Sequence, residues 1–430
     1  MASHIWSKEN QTGADETVQK FLAGKDILLD RHLFLFDVEA TIAHVNGLSR
    51  IEVLSDEECQ TLVSGLKELA ALYQAGDYEL NPPHEDSHSA IEFWLTEKLG
   101  PIGGKVHTGR SRNDQVQVAL RLYMRDRLNS LQDLCVSLAE TLLNRATEMH
   151  DWAMPGYTHL QRAVPSSVGL WLGGMAEAFT DIAHMVSMTK QWINSSPLGS
   201  AAGYGVNLPL DRDGVAKELG FDRVQINPQY VQNSRGRYEL QALNALAQAT
   251  LELRRLAWDL SLFSSSEFSF VTMPEKFVTG SSIMPNKRNP DVVELLRASH
   301  SVVEGALSEL QASLSLPSGY HRDLQMTKEP LLRSFEQSLP ALEIMTDLVA
   351  NMSLKKETMH DAIDSDMYTT DVAIEAALKG QTFREAYKVA MSSDSLDSRT
   401  PEASLKARVS LGGCNNLGLD LIAQRLKKLK

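Results

Sequence analysis

Four short stretches concentrate side chains that could do chemistry. Residues 84–88 read HEDSH, a literal HExxH. On one continuous helix that spacing sets two imidazoles on a single face as zinc ligands, with the glutamate between them as general base. Pro82 and Pro83 come immediately before, which puts His84 at the very start of a helix and loosens that geometry. The plain alternative is a polar helix start, with Glu85 and Asp86 favoured at the positive end of the helix dipole. No third ligand is marked downstream, so no metal is expected.

Residues 107–115, HTGRSRNDQ, gather two arginines, two small hydroxyls and an asparagine ahead of a helix beginning near Gln115. Guanidinium, hydroxyl and amide donors at such a place can converge on one carboxylate. A solvated loop that caps the helix through Ser111 or Asn113 reads equally well. Lys105 is followed by Val106, so GGKV is not a phosphate-cradling loop. In GYTHLQRAVP, residues 156–165, His159 stands beside Thr158 ahead of a proline expected to open a long helix. A lone histidine of this kind is a proton-transfer group or a structural one.

The stretch GSSIMPNKRNP, residues 280–290, is the most informative. Gly280, Ser281 and Ser282 make a flexible turn; Lys287, Arg288 and Asn289 supply donors for an anion; Pro290 then starts a helix carrying Glu294 and Arg297. Flexible backbone and positive charge anchored on a rigid helix make a lid that closes over an anionic ligand and excludes water. A surface turn with a basic face has the same composition.

The elements that must hold these motifs follow from the rest of the chain. With 430 residues, 43% hydrophobic and 23% charged, it can bury a large core as two or three packed units. Its 42 basic against 55 acidic residues give a net charge of -13, with no Lys/Arg block to neutralise a nucleic acid backbone. An anionic ligand therefore needs a local positive pocket. Cys59, Cys135 and Cys414 form neither a CxxC nor an even set, which argues against a disulfide framework and fits a cytoplasmic protein. The start MASHIWSKENQTG has no basic segment followed by an apolar run, so no signal peptide is expected. The longest uncharged run, QWINSSPLGSAAGYGVNLPL, is too rich in Gly, Pro, Ser and Asn to span a membrane.

Helical periodicity dominates the middle of the sequence. Leu243, Leu246, Thr250, Leu253, Ala257 and Leu260 recur at steps of three and four, the seam of a long bundle helix. Similar segments run over 129–150, 166–192, 290–316 and 328–352, and any sheet is minor. The expected fold is all-α, in three helical domains: residues 1–109, a central long-helix bundle over 110–354, and a small C-terminal piece over 355–430. The Ser-rich run SSDSLDSRTPEAS is expected to be a loop. Bundles build their sites from facing side chains and helix ends, where the motifs fall.

Taken together, GSSIMPNKRNP, HTGRSRND and GYTHLQRA resemble the signature segments of the fumarase/aspartase superfamily, and of its argininosuccinate lyases in particular. The likeness extends to KFLAGKDILLDRHLFLFDVEATIAH, EDSHSAIE, SSPLGSAAGYGVNLPLDR and GYHRDLQMTKEPL, nearly the whole chain. It absorbs HEDSH into an EDxH element. The resemblance implies cleavage of argininosuccinate to arginine and fumarate, with no cofactor, in a homotetramer whose subunits share active sites. Removing a weakly acidic proton beside a carboxylate leaves a dianion, so positive charge must be waiting there. By motif position Ser281 and His159 match the proton-transfer pair, Ser281 as base and His159 as acid or the reverse, with Glu294 orienting the histidine. Lys287 and Asn289 match the electrostatic clamp; Ser111, Arg112, Asn113 and Thr158 match the fumarate-side carboxylate ligands. Tyr320, Gln325 and Lys328 match contacts to the arginine moiety, and His88 supports the site. NSRGRYE, residues 233–239, and Asp26 depart from the family pattern and are left unassigned. KRNP is also similar to adenylosuccinate lyases, which HTGRSRND argues against; a catalytically silent structural homologue is the reading of another class.

Overall fold

A computed structural model of the chain describes residues 16–82, 84–390, 396 and 398–430. The N-terminal segment read for a signal peptide, and residues 391–395 and 397 of the expected Ser-rich loop, lie outside the described residues. The molecule is built of helices: α1 (Phe34–Arg50), α2 (Asp56–Ala75) and α3 (Ser87–Leu99), then the long helices α4 (Arg112–Glu148), α5 (Val168–Ile193), α6 (Arg237–Phe263), α7 (Asp291–Ser313) and α8 (Lys328–Asn351), followed by short C-terminal helices. Helix α4 has 37 residues, which at 1.5 Å per residue makes it roughly 55 Å long.

Chain contacts divide the molecule into two units. The first takes in residues up to 129, 188–244 and 305–335; the second, residues 130–187, 245–304 and 336–430. The long helices have residues in both.

In the first unit α1, α2 and α3 pack around Phe34, Val38, Leu48, Leu62, Leu66, Leu69, Ile91 and Leu95. Local signals set where these helices begin. Ser55 Oγ accepts the Glu58 N–H while the Glu58 carboxylate accepts the Ser55 N–H, a reciprocal cap that starts α2. Gly76 ends that helix at φ 79°, a conformation that costs glycine nothing. Asp86 starts α3 by accepting the Ser89 N–H at 2.9 Å.

In the second unit the seam of α6 behaves as its spacing predicts: Leu253, Ala257 and Leu260, together with Thr250, are fully buried. The one polar member is satisfied, since Thr250 Oγ1 donates to the Leu246 carbonyl and meets His300 Nδ1 at 3.0 Å. Sheet is minor among the described residues. A hairpin of β1 (Ala153–Thr158) and β2 (Gln161–Ser167) is the longest; β3 (Ser195–Ser196) with β4 (Arg223–Val224), and β5 (Val271–Thr272) with β6 (Ser353–Leu354), are two-residue pairs.

The hairpin corrects one expectation. Pro165 does not open a helix but lies in β2 opposite Pro155, beside a bulge between Pro155 and Tyr157. A residue with no N–H is tolerated where the ladder is already interrupted. Helix α5 starts three residues later, with Ser167 Oγ accepting the Leu170 N–H at 3.1 Å. Among the described residues no helix is long and apolar enough to cross a membrane.

Candidate active site

In the first unit, the short helical segment at residues 26–32, the starts of α3, α4 and α8, and the segments bearing Arg235 and Tyr320 converge on a narrow cleft that their side chains nearly fill. His88, Arg112, Asn113, Tyr320, Gln325 and Lys328 all line it. Six of the residues singled out by motif therefore come together.

Lys328, the first residue of α8, is 2% exposed. Its Nζ lies 2.6 Å from Asp30 Oδ1 and 3.2 Å from Asp26 Oδ1. Burial favours the neutral amine, but the two carboxylates outweigh it and raise the pKa, so the ammonium persists. Gln325 Nε2 donates to the other Asp26 oxygen at 2.6 Å, and Asp30 Oδ2 accepts the Ser87 N–H at 2.9 Å. The cleft floor is a lattice of paired charges in which each partner fixes the next.

Arg112 holds the opposite wall, bonded to Glu85 at 3.1 Å and to Asp86. Burial pushes the Asp86 carboxyl up, but the His88 and Arg112 charges and the Ser89 N–H bring it down to about 2. The Arg235 guanidinium lies 5.8 Å from the Tyr320 ring, and its buried Nε has no partner among the described residues. The Gly319 N–H donates to Asn233 Oδ1 at 2.7 Å, which seats the Tyr320 loop on the NSRGRYE segment.

The HTGRSRND segment divides its labour. Gly109 sits at φ 74° with Leu208 and Leu210 closing on the place a side chain would occupy. Arg110 turns inward, donating to Thr41 Oγ1 and the Val106 carbonyl, each at 2.9 Å. It supports the fold and leaves the ligand to Arg112. Burial, with the Arg110 charge, pushes His107 down to about 4, so it is neutral near neutrality. Ser111 Oγ accepts the Asn113 N–H at 3.3 Å, as a helix cap does, and Ser111 does not line the cleft. Asp114 accepts N–H bonds from Ser111, Gly199 and Ala201, tying the start of α4 to the SSPLGSAAG loop.

HEDSH is not a helical metal motif. Helix α3 begins at Ser87, so His84 lies outside it and packs on Phe93 with ring centroids 5.2 Å apart. His88 Nδ1 is engaged by Asp37 at 2.6 Å. The polar helix start is the reading that fits.

The remaining candidates belong to the second unit. Thr158 ends β1, and His159 and Leu160 form a two-residue hairpin loop, both with positive φ, 55° and 58°. That is the backbone of a type I′ turn, which normally selects Asn and Gly. His159 is thus held exposed at a hairpin tip. In the lid segment, Thr279 and Asn289 pair as an antiparallel bridge that closes the loop at its base, and Asn289 Nδ2 donates to the Gly280 carbonyl. Ser281 Oγ accepts the Met284 N–H at 3.1 Å and, more weakly, the Ile283 N–H at 3.4 Å. Lys287 is exposed; Arg288 pairs with Glu275 at 2.6 Å. Glu294, also exposed, faces Arg297 one turn along α7 at 3.7 Å. Among the described residues, none of Ser281, His159 and Glu294 bonds to another.

Residues 10–305 match a sequence family described as Lyase. A protein of Xanthomonas oryzae pv. oryzae named argininosuccinate lyase is 51% identical over 432 residues, covering all of both chains. The argininosuccinate lyase of Stenotrophomonas maltophilia is 52% identical over 431 residues, again with full coverage.

The chain belongs to the argininosuccinate lyase family.

Solved structures agree on the fold. An EDDS lyase in complex with formate superposes with a TM-score of 0.82 at 24% identity, over 97% of this chain and 91% of that one. A 3-carboxy-cis,cis-muconate lactonizing enzyme from Pseudomonas putida gives 0.71 at 19% identity, over 96% and 97%. Within the argininosuccinate lyase scaffold, the cleft holds Asp26, Asp30, Asp86 and Arg235 besides the residues expected from motifs. Each lies in a stretch the motif reading quoted, but nothing in the spacing of 26, 86, 235 and 328 says that they meet.

Proposed function

We propose that this lyase eliminates arginine from argininosuccinate to release fumarate. A serine hydroxyl is far too weak a base unless its alkoxide is stabilised. What carries the reading is the turn at Ser281, where Oγ already accepts two backbone N–H groups. Donors aimed at that oxygen favour the deprotonated form, as an oxyanion hole does. In the proposed reaction Ser281 takes the proton from the carbon beside a carboxylate. Lys287 and Asn289 hold that carboxylate as its charge doubles, and His159, oriented by Glu294, protonates the departing guanidinium nitrogen as the C–N bond breaks. The reverse assignment of base and acid within the Ser281–His159 pair stays open. Ser111, Arg112, Asn113 and Thr158 bind the fumarate-side carboxylates; Tyr320, Gln325 and Lys328 bind the arginine moiety.

A homotetramer with shared active sites, working in the cytoplasm, completes the proposal. A histidine on an exposed hairpin tip and a serine on an exposed loop are placed as groups reaching into a neighbouring copy would be. The test follows fumarate by its ultraviolet absorbance with argininosuccinate and adenylosuccinate offered separately. Release from argininosuccinate alone is expected, and Ser281→Ala should abolish turnover while keeping ligand binding. Release from adenylosuccinate, or silence with both substrates from a folded oligomer, would overturn the reading.

A further inference from the structure

One buried contact of the cleft is left unused by that chemistry. Asp37, on α1, is fully buried, and a single one of its oxygens, Oδ2, takes both His88 Nδ1 and the Ser87 hydroxyl, each at 2.6 Å. Oδ1 has no partner among the described residues. His88 lines the cleft, and its Nε2 has no protein partner among those residues. The ring is therefore held by one nitrogen from behind and offers the other to whatever occupies the cleft.

Which face that nitrogen shows depends on the proton count. With Nδ1–H committed to Asp37, a neutral ring presents a lone pair at Nε2 and repels a carboxylate. A protonated ring presents an N–H and binds one. We propose that Asp37 is a positioning residue that keeps His88 as an Nε2–H donor for a substrate carboxylate, which makes His88 a pH-limited anion-binding group of the cleft.

The charges around the ring support this. Burial favours neutral imidazole, but the Asp37 charge and hydrogen bond, with Asp86 and Asp30, raise the pKa above the ordinary value. Asp37 answers in kind: burial pushes it up, and His88, Ser87 and Arg110 bring it below the usual range. The other groups facing the region are Asp26, Arg112 from α4, His107 and Arg110 from the segment before it, Arg235, Tyr320 and Lys328. His107 is neutral near neutrality, and Arg112, Lys328 and Asp86 stay charged there, so the pH response of the cleft is assigned to His88. Its cationic form, and any stability tied to it, is fully present below 6.5 and lost as pH rises through the raised value.

The inference rests on the proposed elimination, and its test separates the two. KM for argininosuccinate and the inhibition constant for added fumarate are measured from pH 6 to 9 on the wild type, Asp37→Asn, Ser87→Ala and His88→Gln. In the wild type both constants should rise up to about tenfold per pH unit above the His88 pKa, with kcat changing less. Asp37→Asn should move that midpoint down. Ser87→Ala, which frees Oδ2 from a competing donor, should move it up, so the idea stays testable if the buried Asp37 variant fails to fold. His88→Gln should erase the limb. A limb that persists in His88→Gln, or a midpoint unmoved in both other variants, would overturn the proposal and leave the proposed elimination standing. No turnover at any pH would overturn the elimination itself.

Discussion

Arg112 and Asp86 define the cleft wall together. A guanidinium shared between Glu85 and Asp86 is held in place at the cleft, and a charge-assisted bond of this kind contributes about 1.5–3 kcal/mol. Arg112→Gln is therefore expected to raise KM by roughly tenfold or more, with kcat less affected. A drop in kcat with KM unchanged would remove Arg112 from ground-state binding. The same pair has a signature in acid. Asp86 titrates at 3.8 when unfolded and at about 2 in the fold. Its contribution, about 2 kcal/mol, is thus fully present above pH 3.8 and disappears as pH falls toward 2. Urea unfolding of Asp86→Asn should show a shallower loss of stability below pH 5 than the wild type. Equal slopes would mean that the carboxylate gains nothing from its neighbours.

The long helices give these residues their positions. Helix α4 is 37 residues long and starts with Arg112 and Asn113 at the cleft. Helix α8 starts there with Lys328. The seam of α6 can be tested without touching any of the cleft: Leu253→Ala removes a fully buried side chain and should cost 2–5 kcal/mol by denaturant titration. A cost below about 1 kcal/mol would mean that the seam collapses around the gap. The hairpin carries a different kind of information. Its turn holds His159 and Leu160 in a left-handed conformation that most side chains avoid, and Leu160 is 70% exposed. Observed strain at a residue matched to proton transfer agrees with a functional constraint on the tip.

For the molecule as a whole the decisive question is whether a site is completed by other copies. If His159 and Ser281 act at one site from different subunits, two dead variants can rescue one another. His159→Asn and Ser281→Ala, each inactive alone, should regain about a quarter of wild-type activity when unfolded, mixed in equal amounts and refolded, since half of each contribution is intact. If both groups come from one subunit, the mixture stays inactive. The net charge of -13 sets the wider field. An anionic substrate approaches a negative protein, so the cations in and around the cleft must act locally, and raising salt should weaken binding less than it would for a site fed by a long-range positive field.

The sequence by itself determined the helices, because periodicity and end signals act over a few residues: the α6 seam, the Asp86 start of α3 and the Ser55 cap are all local. It also determined the family, since motifs in order over the whole chain specify a scaffold. Where local rules competed it failed. Pro165 reads as a helix opener and lies in a strand, because the ladder is interrupted beside it by the bulge between Pro155 and Tyr157. HEDSH matches a metal motif only in its letters; its preferred reading as a polar helix start fits, since Asp86 accepts the Ser89 N–H. Only the tertiary structure decided that Asp26, Asp30 and Arg235 join Lys328 and Arg112, and that Asp37 stands behind His88. Those meetings depend on how separate segments pack, and a chain's spacing carries no distance between residues that hundreds of positions separate.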